Sequence, residues 1–359
     1  MAGTIAALAG NGIGVAGAGN FRLHITRALD DTGRGWASDV RNAVSQCVDA
    51  GADIINMSLG GASLSQGLFD FYKAIVEEKG VMIVAAAGNE GSDTPAFPAA
   101  HPSVISVAAI YEWEMYWPGS NWGEQIELAA PGVNVLSTMA SSSAVVTEDF
   151  AYRAFDIEDS PNYAATGPLV YCGDGSYTCT DAAGGICIMA KDKKKLKNML
   201  KNCEAGGGIG LVVFNAAPGQ TDWKKGKPKI PAVRVPHNTG VELIEIKLGT
   251  NVTIGDMDGD GIEYTYSYFT GTSMASPHVA AAAGLVWSYN KAECSNQQIR
   301  YALAASALDL DTVNEPGCDG NHGYGLVKAR DAHEWLLLNS CTTWNVTNEL
   351  KGGCHIVEE

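Results

Sequence analysis

One stretch limits the possible folds of this chain more than any other: Gly271-Thr272-Ser273-Met274-Ala275-Ser276-Pro277-His278, running on into residues 279–287. Residues 279–286 are all apolar or Gly, so a helix built from them has no solvent face and must run through a core. Gly271 permits a tight turn, and Pro277 is read as part of the first turn, where backbone N–H groups lack intrahelical partners anyway. Ser273 then sits at the mouth of a buried helix, beside free N–H groups and the positive end of the helix dipole. Such a place suits a nucleophile whose reaction develops an oxyanion; it equally suits a serine that only caps the helix.

A chain of 359 residues has room for two domains, and 46% hydrophobic with 18% charged residues is enough to bury large cores. The formal charge of −16 argues against nucleic acid or an anionic membrane as partner. No stretch approaches the roughly 18–20 uncharged apolar residues of a membrane span. Residues 1–19 are apolar, but they have no basic start and are interrupted by Gly, so they are not read as a signal peptide.

From residue 22 to 130 short apolar runs alternate with helical patterns. The expected strands are 23–29, 53–59, 81–87, 104–109 and 126–129, with helices at 37–50 and 65–79. Strands apolar on both faces, separated by amphipathic helices, indicate an α/β fold with a parallel sheet covered on both sides. Two strand ends carry polar chemistry at the carboxyl edge, where open α/β sheets place their sites. One is Ala85-Ala86-Ala87-Gly88-Asn89 and the other Asn56-Met57-Ser58-Leu59-Gly60-Gly61. Alone, Gly-Asn after a strand is an ordinary turn.

Taken together these motifs resemble the subtilisin-like serine proteases, whose nucleophile motif is similar to Gly271-Thr272-Ser273-Met274-Ala275-Ser276-Pro277-His278-Val279-Ala280. The resemblance implies Ser273 as nucleophile and Asn89 as oxyanion donor. It also implies that Ser58, Leu59 and Gly60 pair with substrate backbone and, with Ala86, Ala87 and Gly88, wall the pocket for the side chain before the cut. Met1-Ala2-Gly3-Thr4-Ile5-Ala6-Ala7-Leu8 resembles the second half of the family's histidine motif. On that reading the general-base His lies about four positions ahead of Met1, and the orienting Asp further upstream. None of His24, His101, His237, His278, His322, His333 or His355 lies in a general-base motif.

Ala129-Ala130-Pro131-Gly132-Val133-Asn134-Val135 also resembles the family, in which the nucleophile follows within a few tens of residues; here Gly271 comes far later. An insertion the size of a small domain is therefore expected. It carries strands at 169–171, 186–190, 210–214 and 232–235, a Lys-rich helix at 192–203, and a helix to 246 capped by Asn238. This order resembles a protease-associated, or PA, domain, a β-rich α+β fold. The expected organisation is a first catalytic part at 1–142, the insert at 143–260, the nucleophile part at 261–335, and a Cys-containing tail at 336–359. An exposed helix is expected at 296–305, with Ile299 and Leu303 inward.

No cofactor is required on this reading, and no catalytic metal site is assigned. The Asn11-Gly12-Ile13-Gly14-Val15 loop is either a plain turn or, by resemblance, part of a structural calcium site; Asp256 to Gly261 reads as an acidic linker without an EF-hand's terminal Glu. Nine cysteines without C-x-x-C spacing point to disulfides rather than metal ligands, with Cys47 the odd one on the inward stripe of a helix. Asn251 and Asn345 head acceptor sequons, whereas Asn56 lies on a buried strand. These features suit a secreted protein or one of an endomembrane or vacuolar lumen. The expected function is a serine endopeptidase acting on polypeptide substrates, without turnover in this chain alone. The alternative is a non-catalytic relative that binds peptides or a protein partner through the insert.

Overall fold

The computed structural model describes residues 1–12, 14–30, 33–61, 65–139, 143–148, 150–157, 159–161, 163–192, 195–217, 228–256, 265–311, 316–342 and 353–355. The chain divides into two compact units, the first made of Met1–Leu8, Ala16–Val135 and Phe269–Glu359, the second of Ala9–Val15 and Leu136–Tyr268.

In the first unit the elements run α1 (Ala2–Ala6), α2 (Ala37–Asp49), β1 (Ile54–Met57), α3 (Gln66–Glu77), β2 (Met82–Ala86), β3 (Ile105–Ile110) and β4 (Leu128–Pro131). The four strands pair in parallel in the order β1-β2-β3-β4. Alternation along β2 shows how the sheet is covered. Met82 and Val84 belong to one cluster with Val279, Ala283 and Val286, while Ile83 and Ala85 belong to another with Val44, Cys47, Tyr72 and Ile75. The first of these clusters is formed by α6 (Thr272–Asn290), α7 (Asn296–Ala305) and α8 (Ala329–Leu338). Helix α6 does run through the core, with Ala275, Val279 and Ala283 fully buried. Its alanines let the helix approach the sheet closely, and each buried Val side chain contributes on the order of 1.5–3 kcal/mol.

The second unit carries a nine-stranded mixed sheet from β5 (Val135–Met139), β6 (Ser143–Val146), β7 (Ala151–Asp156), β8 (Ala165–Tyr171), β9 (Ile186–Lys191), β10 (Gly210–Asn215), β11 (Ala232–Arg234), β12 (Asn251–Asp256) and β13 (Thr265–Phe269). Strand β11 also pairs with β7, so the sheet closes on itself. Helices α4 (Leu196–Ala205) and α5 (His237–Ile246) pack on β9 and β10.

Several expectations need correction. Residues 23–29 form no strand: they join no ladder, and Leu23 and Ile25 are 44% and 73% exposed. Alternating apolar residues make a strand only where a neighbour accepts their N–H and C=O groups, and β1 is the sheet's edge. The last parallel strand is displaced two residues, to Leu128–Pro131, although the Glu127 N–H still donates to the Ser106 carbonyl of β3 at 3.1 Å. Helix α4 starts at Leu196 rather than 192, and α5 starts after Pro236, which leaves Asn238 inside the first turn instead of at the cap. Helix α7 is mostly buried: beyond Ile299 and Leu303, its Gln298 and Arg300 are also inside. The acidic 257–261 segment and Asn345 lie outside the described residues.

Four disulfides join Cys172–Cys179, Cys187–Cys203, Cys294–Cys341 and Cys318–Cys354, and Cys47 is free and buried. The tail cysteines thus pair back into the first unit rather than with each other. Unfolded without reductant, the protein should expose one maleimide-reactive thiol per chain, and all nine after reduction, counted by intact mass. Two or more thiols before reduction would refute this pairing.

Candidate active site

The site lies entirely in the first unit, at the carboxyl ends of its strands. Helix α6 begins after Gly271, whose φ of 152° is a glycine conformation and whose N–H donates to the Gly132 carbonyl at 2.8 Å. A Cβ at Gly271 would stand 3.2 Å from the Asn89 carboxamide oxygen, so the missing side chain also lets Asn89 approach.

Asn89 is held by the residue before the serine. Its Oδ1 accepts from the Thr272 N–H at 2.8 Å and from the Thr272 hydroxyl at 3.0 Å. Since a backbone N–H needs an acceptor, this fixes which way the carboxamide is turned and leaves the Nδ2 donors unspent. The Gly88 N–H donates to Thr272 Oγ1 at 3.0 Å, joining the β2 end to the helix mouth. The Ser273 N–H, in the first turn, has no intrahelical acceptor.

Pro277 lies in the second turn of α6, not the first as the sequence suggested. Its missing N–H leaves the Ser273 carbonyl without the usual i+4 donor, and the Ser58 hydroxyl fills that place at 2.8 Å. The Ser273 hydroxyl in turn donates to the Ser58 carbonyl at 3.2 Å. Asn56 braces this exchange, accepting from the Ser276 hydroxyl at 2.5 Å and donating from Nδ2 to Ser58 Oγ at 3.0 Å. The predicted residues at both strand ends and at the helix mouth are thereby brought together. Leu59 is half-buried and Gly60 exposed beyond Ser58, while Ala86 and Ala87 are buried and Gly88 is half-buried.

Sequence reasoning missed Asn121. Its Oδ1 accepts from the Glu90 and Ser92 N–H groups, and its Nδ2 donates to the Ala87 carbonyl and to Glu90 Oε2. Glu90 Oε2 also accepts from the Asn89 N–H. A Cβ on Gly88 would stand 2.3 Å from Asn121 Nδ2, so Gly88, at φ 110°, serves both turn and brace. No local signal marks Asn121, because its partners lie about thirty residues away. Thr272 could have been suspected from its place beside Ser273.

Among the described residues no imidazole faces the Ser273 hydroxyl. His278 Nδ1 donates to the Met274 carbonyl on its own helix at 2.8 Å, and burial pulls its pKa below the ordinary imidazole range. His322 pairs with Asp319 at 3.2 Å within its own loop and lies edge-on to Tyr116. Gly10, Gly12 and Gly14 all sit at positive φ, with residue 13 outside the described residues. Among the described residues the one cluster of His, Cys, Asp or Glu close enough to hold a metal, Cys172, Cys179 and Cys187, is engaged in disulfides.

Residues 1–159 and 216–325 match the model of the subtilase family, and residues 165–243 that of the PA domain. A thermophilic serine proteinase of Bacillus sp. (strain AK1) is 36% identical over 171 residues, 47% of this chain and 41% of that protein. Subtilisin E of Bacillus subtilis (strain 168) is 40% identical over 147 residues, 39% of this chain and 37% of that protein. The matched part thus spans about two fifths of these relatives' length. Among solved structures, the psychrophilic subtilisin-like protease Apa1 of Pseudoalteromonas sp. AS-11 aligns with a TM-score of 0.58 and 32% identity, covering 95% of this chain and 84% of that one.

Proposed function

The chain belongs to the subtilase family, and from that premise we propose that it carries the nucleophile and oxyanion hole of a serine endopeptidase. Ser273 attacks a peptide carbonyl, forming an acyl-enzyme that water then releases. Asn89 Nδ2 and the Ser273 N–H hold the oxyanion. Ser58, Leu59 and Gly60 receive the substrate backbone, since strand-edge hydrogen bonds bind an extended peptide whatever its sequence, and Ala86, Ala87 and Gly88 wall the adjoining pocket. The observation that carries this reading is the bond from the Thr272 N–H to Asn89 Oδ1, 2.8 Å long, which seats the carboxamide beside the nucleophile.

A hydroxyl that donates to a carbonyl is not activated, and Ser273 spends its proton on Ser58. Among the described residues no imidazole faces that hydroxyl, so we assign no general base or orienting acid among them and propose that they turn over no peptide by themselves. Four disulfides support an extracellular or other oxidising compartment. We assign the PA domain no chemical step.

A fluorophosphonate probe tests the assignment. The chain alone should label no faster than its Ser273→Ala variant. Preceded by a segment bearing the family's Asp-Thr/Ser-Gly and His-Gly-Thr-His motifs, it should label readily and lose all labelling on Ser273→Ala. Undiminished labelling of Ser273→Ala would move the nucleophile elsewhere. An extended chain that stays silent would favour the peptide-binding relative, for which the unactivated Ser273 is the supporting observation.

A further inference from the structure

Between β3 and β4 the chain leaves the sheet beside the site and comes back to it. At the start, the Gly132 N–H donates to the Ile110 carbonyl and the Gly271 N–H to the Gly132 carbonyl, so Ile110 is two backbone bonds from the residue that opens α6. At the end, the Asn121 N–H donates to the Gly88 carbonyl, next to Asn89. The crown between these anchors has a fixed shape. Tyr111 N–H donates to the Met115 carbonyl at 2.9 Å, Glu114 N–H to the Tyr111 carbonyl at 3.1 Å, Glu114 sits at φ 66°, and Ile110 bridges Tyr116.

This crown shows an unusual surface. The Tyr111 and Trp113 rings stack with centroids 4.7 Å apart and planes within 8°. Trp113 is 59% and Met115 63% exposed. Glu112 and Glu114, both exposed, alternate with these side chains and form no ion pair among the described residues. Ordering a stacked, exposed aromatic pair costs side-chain entropy that a surface turn has no structural need to spend. The π faces and the two carboxylates share one sign of potential, which attracts a cation and repels an acidic chain. A purely apolar ligand would gain from the rings and nothing from the acids.

We infer that the Tyr111–Met115 crown is a subsite for a Lys or Arg side chain of the polypeptide substrate, on the leaving-group side of the cut. The inference rests on the peptidase reading and deepens it. Ser58 to Gly60 and Ala86 to Gly88 occupy the ends of β1 and β2, whereas the crown hangs from β3, across Asn89 from them. A peptide running over Ser273 from the β1 side reaches the crown with residues after the scissile bond. The aliphatic stem of the Lys or Arg lies on the indole while its charged head meets Glu112 and Glu114.

The test uses the 359-residue chain with Ser273→Ala, so that no turnover intervenes. Dye-labelled capped peptides, alike except for a central pair of Lys, Glu or norleucine, are compared by fluorescence anisotropy at low and high salt. The Lys peptide should bind about 5- to 10-fold tighter than the others at low salt. Glu112→Gln with Glu114→Gln should remove most of that preference. Glu245→Gln with Glu293→Gln, the same charge change at exposed positions elsewhere, should leave it, which separates the crown from the overall charge of −16. Trp113→Ala should weaken the Lys peptide at both salt levels. A preference that survives the crown variants, or a norleucine peptide binding as well as the Lys peptide, overturns the inference. Fluorophosphonate labelling of the extended chain reports on Ser273 whatever the crown does, so failure of one reading is told apart from failure of the other.

Discussion

Asn89→Ala, made in an upstream-extended form that cleaves peptides, is expected to lower kcat by about 10²–10³-fold with KM nearly unchanged; subtilisin itself is the source of that magnitude, which is carried over to this relative and not deduced from its geometry. The direction does follow from the geometry. The Thr272 N–H occupies Asn89 Oδ1, so the Nδ2 protons remain for a substrate, and they gain most when charge develops on the oxygen. Steady-state kinetics on an amide substrate decides the point. A raised KM with unchanged kcat would mean that Asn89 binds the ground state and transition state alike, and the oxyanion assignment would fall.

Replacing Arg300 by Met is expected to cost about 3–5 kcal/mol of stability, because it strands a carboxylate inside the protein. Glu127 is 0% exposed at its side chain and Arg300 3%, with Arg300 Nε donating to one carboxylate oxygen at 2.8 Å and Nη2 to the other at 2.5 Å. Nη2 also donates to the Pro102 carbonyl at 2.9 Å. Burial pushes the Glu127 carboxyl up, and the charge and hydrogen bonds of Arg300 oppose it. Without Arg300 that opposition disappears and the folded-state pKa rises further. An acid whose folded pKa exceeds its unfolded value, about 4.3 for Glu, binds more protons when folded, so stability falls as pH rises between the two. The variant's deficit should therefore be smallest below about pH 4 and complete once pH passes the raised folded pKa. Pairing it with Glu127→Leu should recover most of the loss. Urea titrations across pH measure this directly; a deficit under about 1 kcal/mol, or one indifferent to pH, would show that the pair is not buried as described.

Much of the site was legible in the chain. Gly271, the apolar run behind Ser273 and the placement of Asn89 and Ser58 at strand ends rest on conformational limits and side-chain periods that act within a few residues. Cys47 was marked by its place on the inward stripe of α2. Elsewhere the same local reasoning misled. Residues 23–29 have the composition of a strand, yet their hydrogen bonds depend on a neighbour that no local pattern can supply. Pro277 looked like a first-turn residue, and only the fold shows that its missing N–H gives the Ser273 carbonyl to Ser58, 215 positions away.

By itself, then, the sequence determined the α/β alternation, the buried helix behind Ser273, the presence of an inserted domain and the placement of Ser273 and Asn89 at the ends of their elements. The tertiary structure alone decided the turn of the Asn89 carboxamide, the brace of Asn121, the four cysteine pairings and the burial of Arg300 against Glu127. The division has a physical cause. Backbone preference and amphipathic period are set by neighbours along the chain, whereas a hydrogen bond or ion pair is set by whichever distant group chain closure brings within about 3 Å.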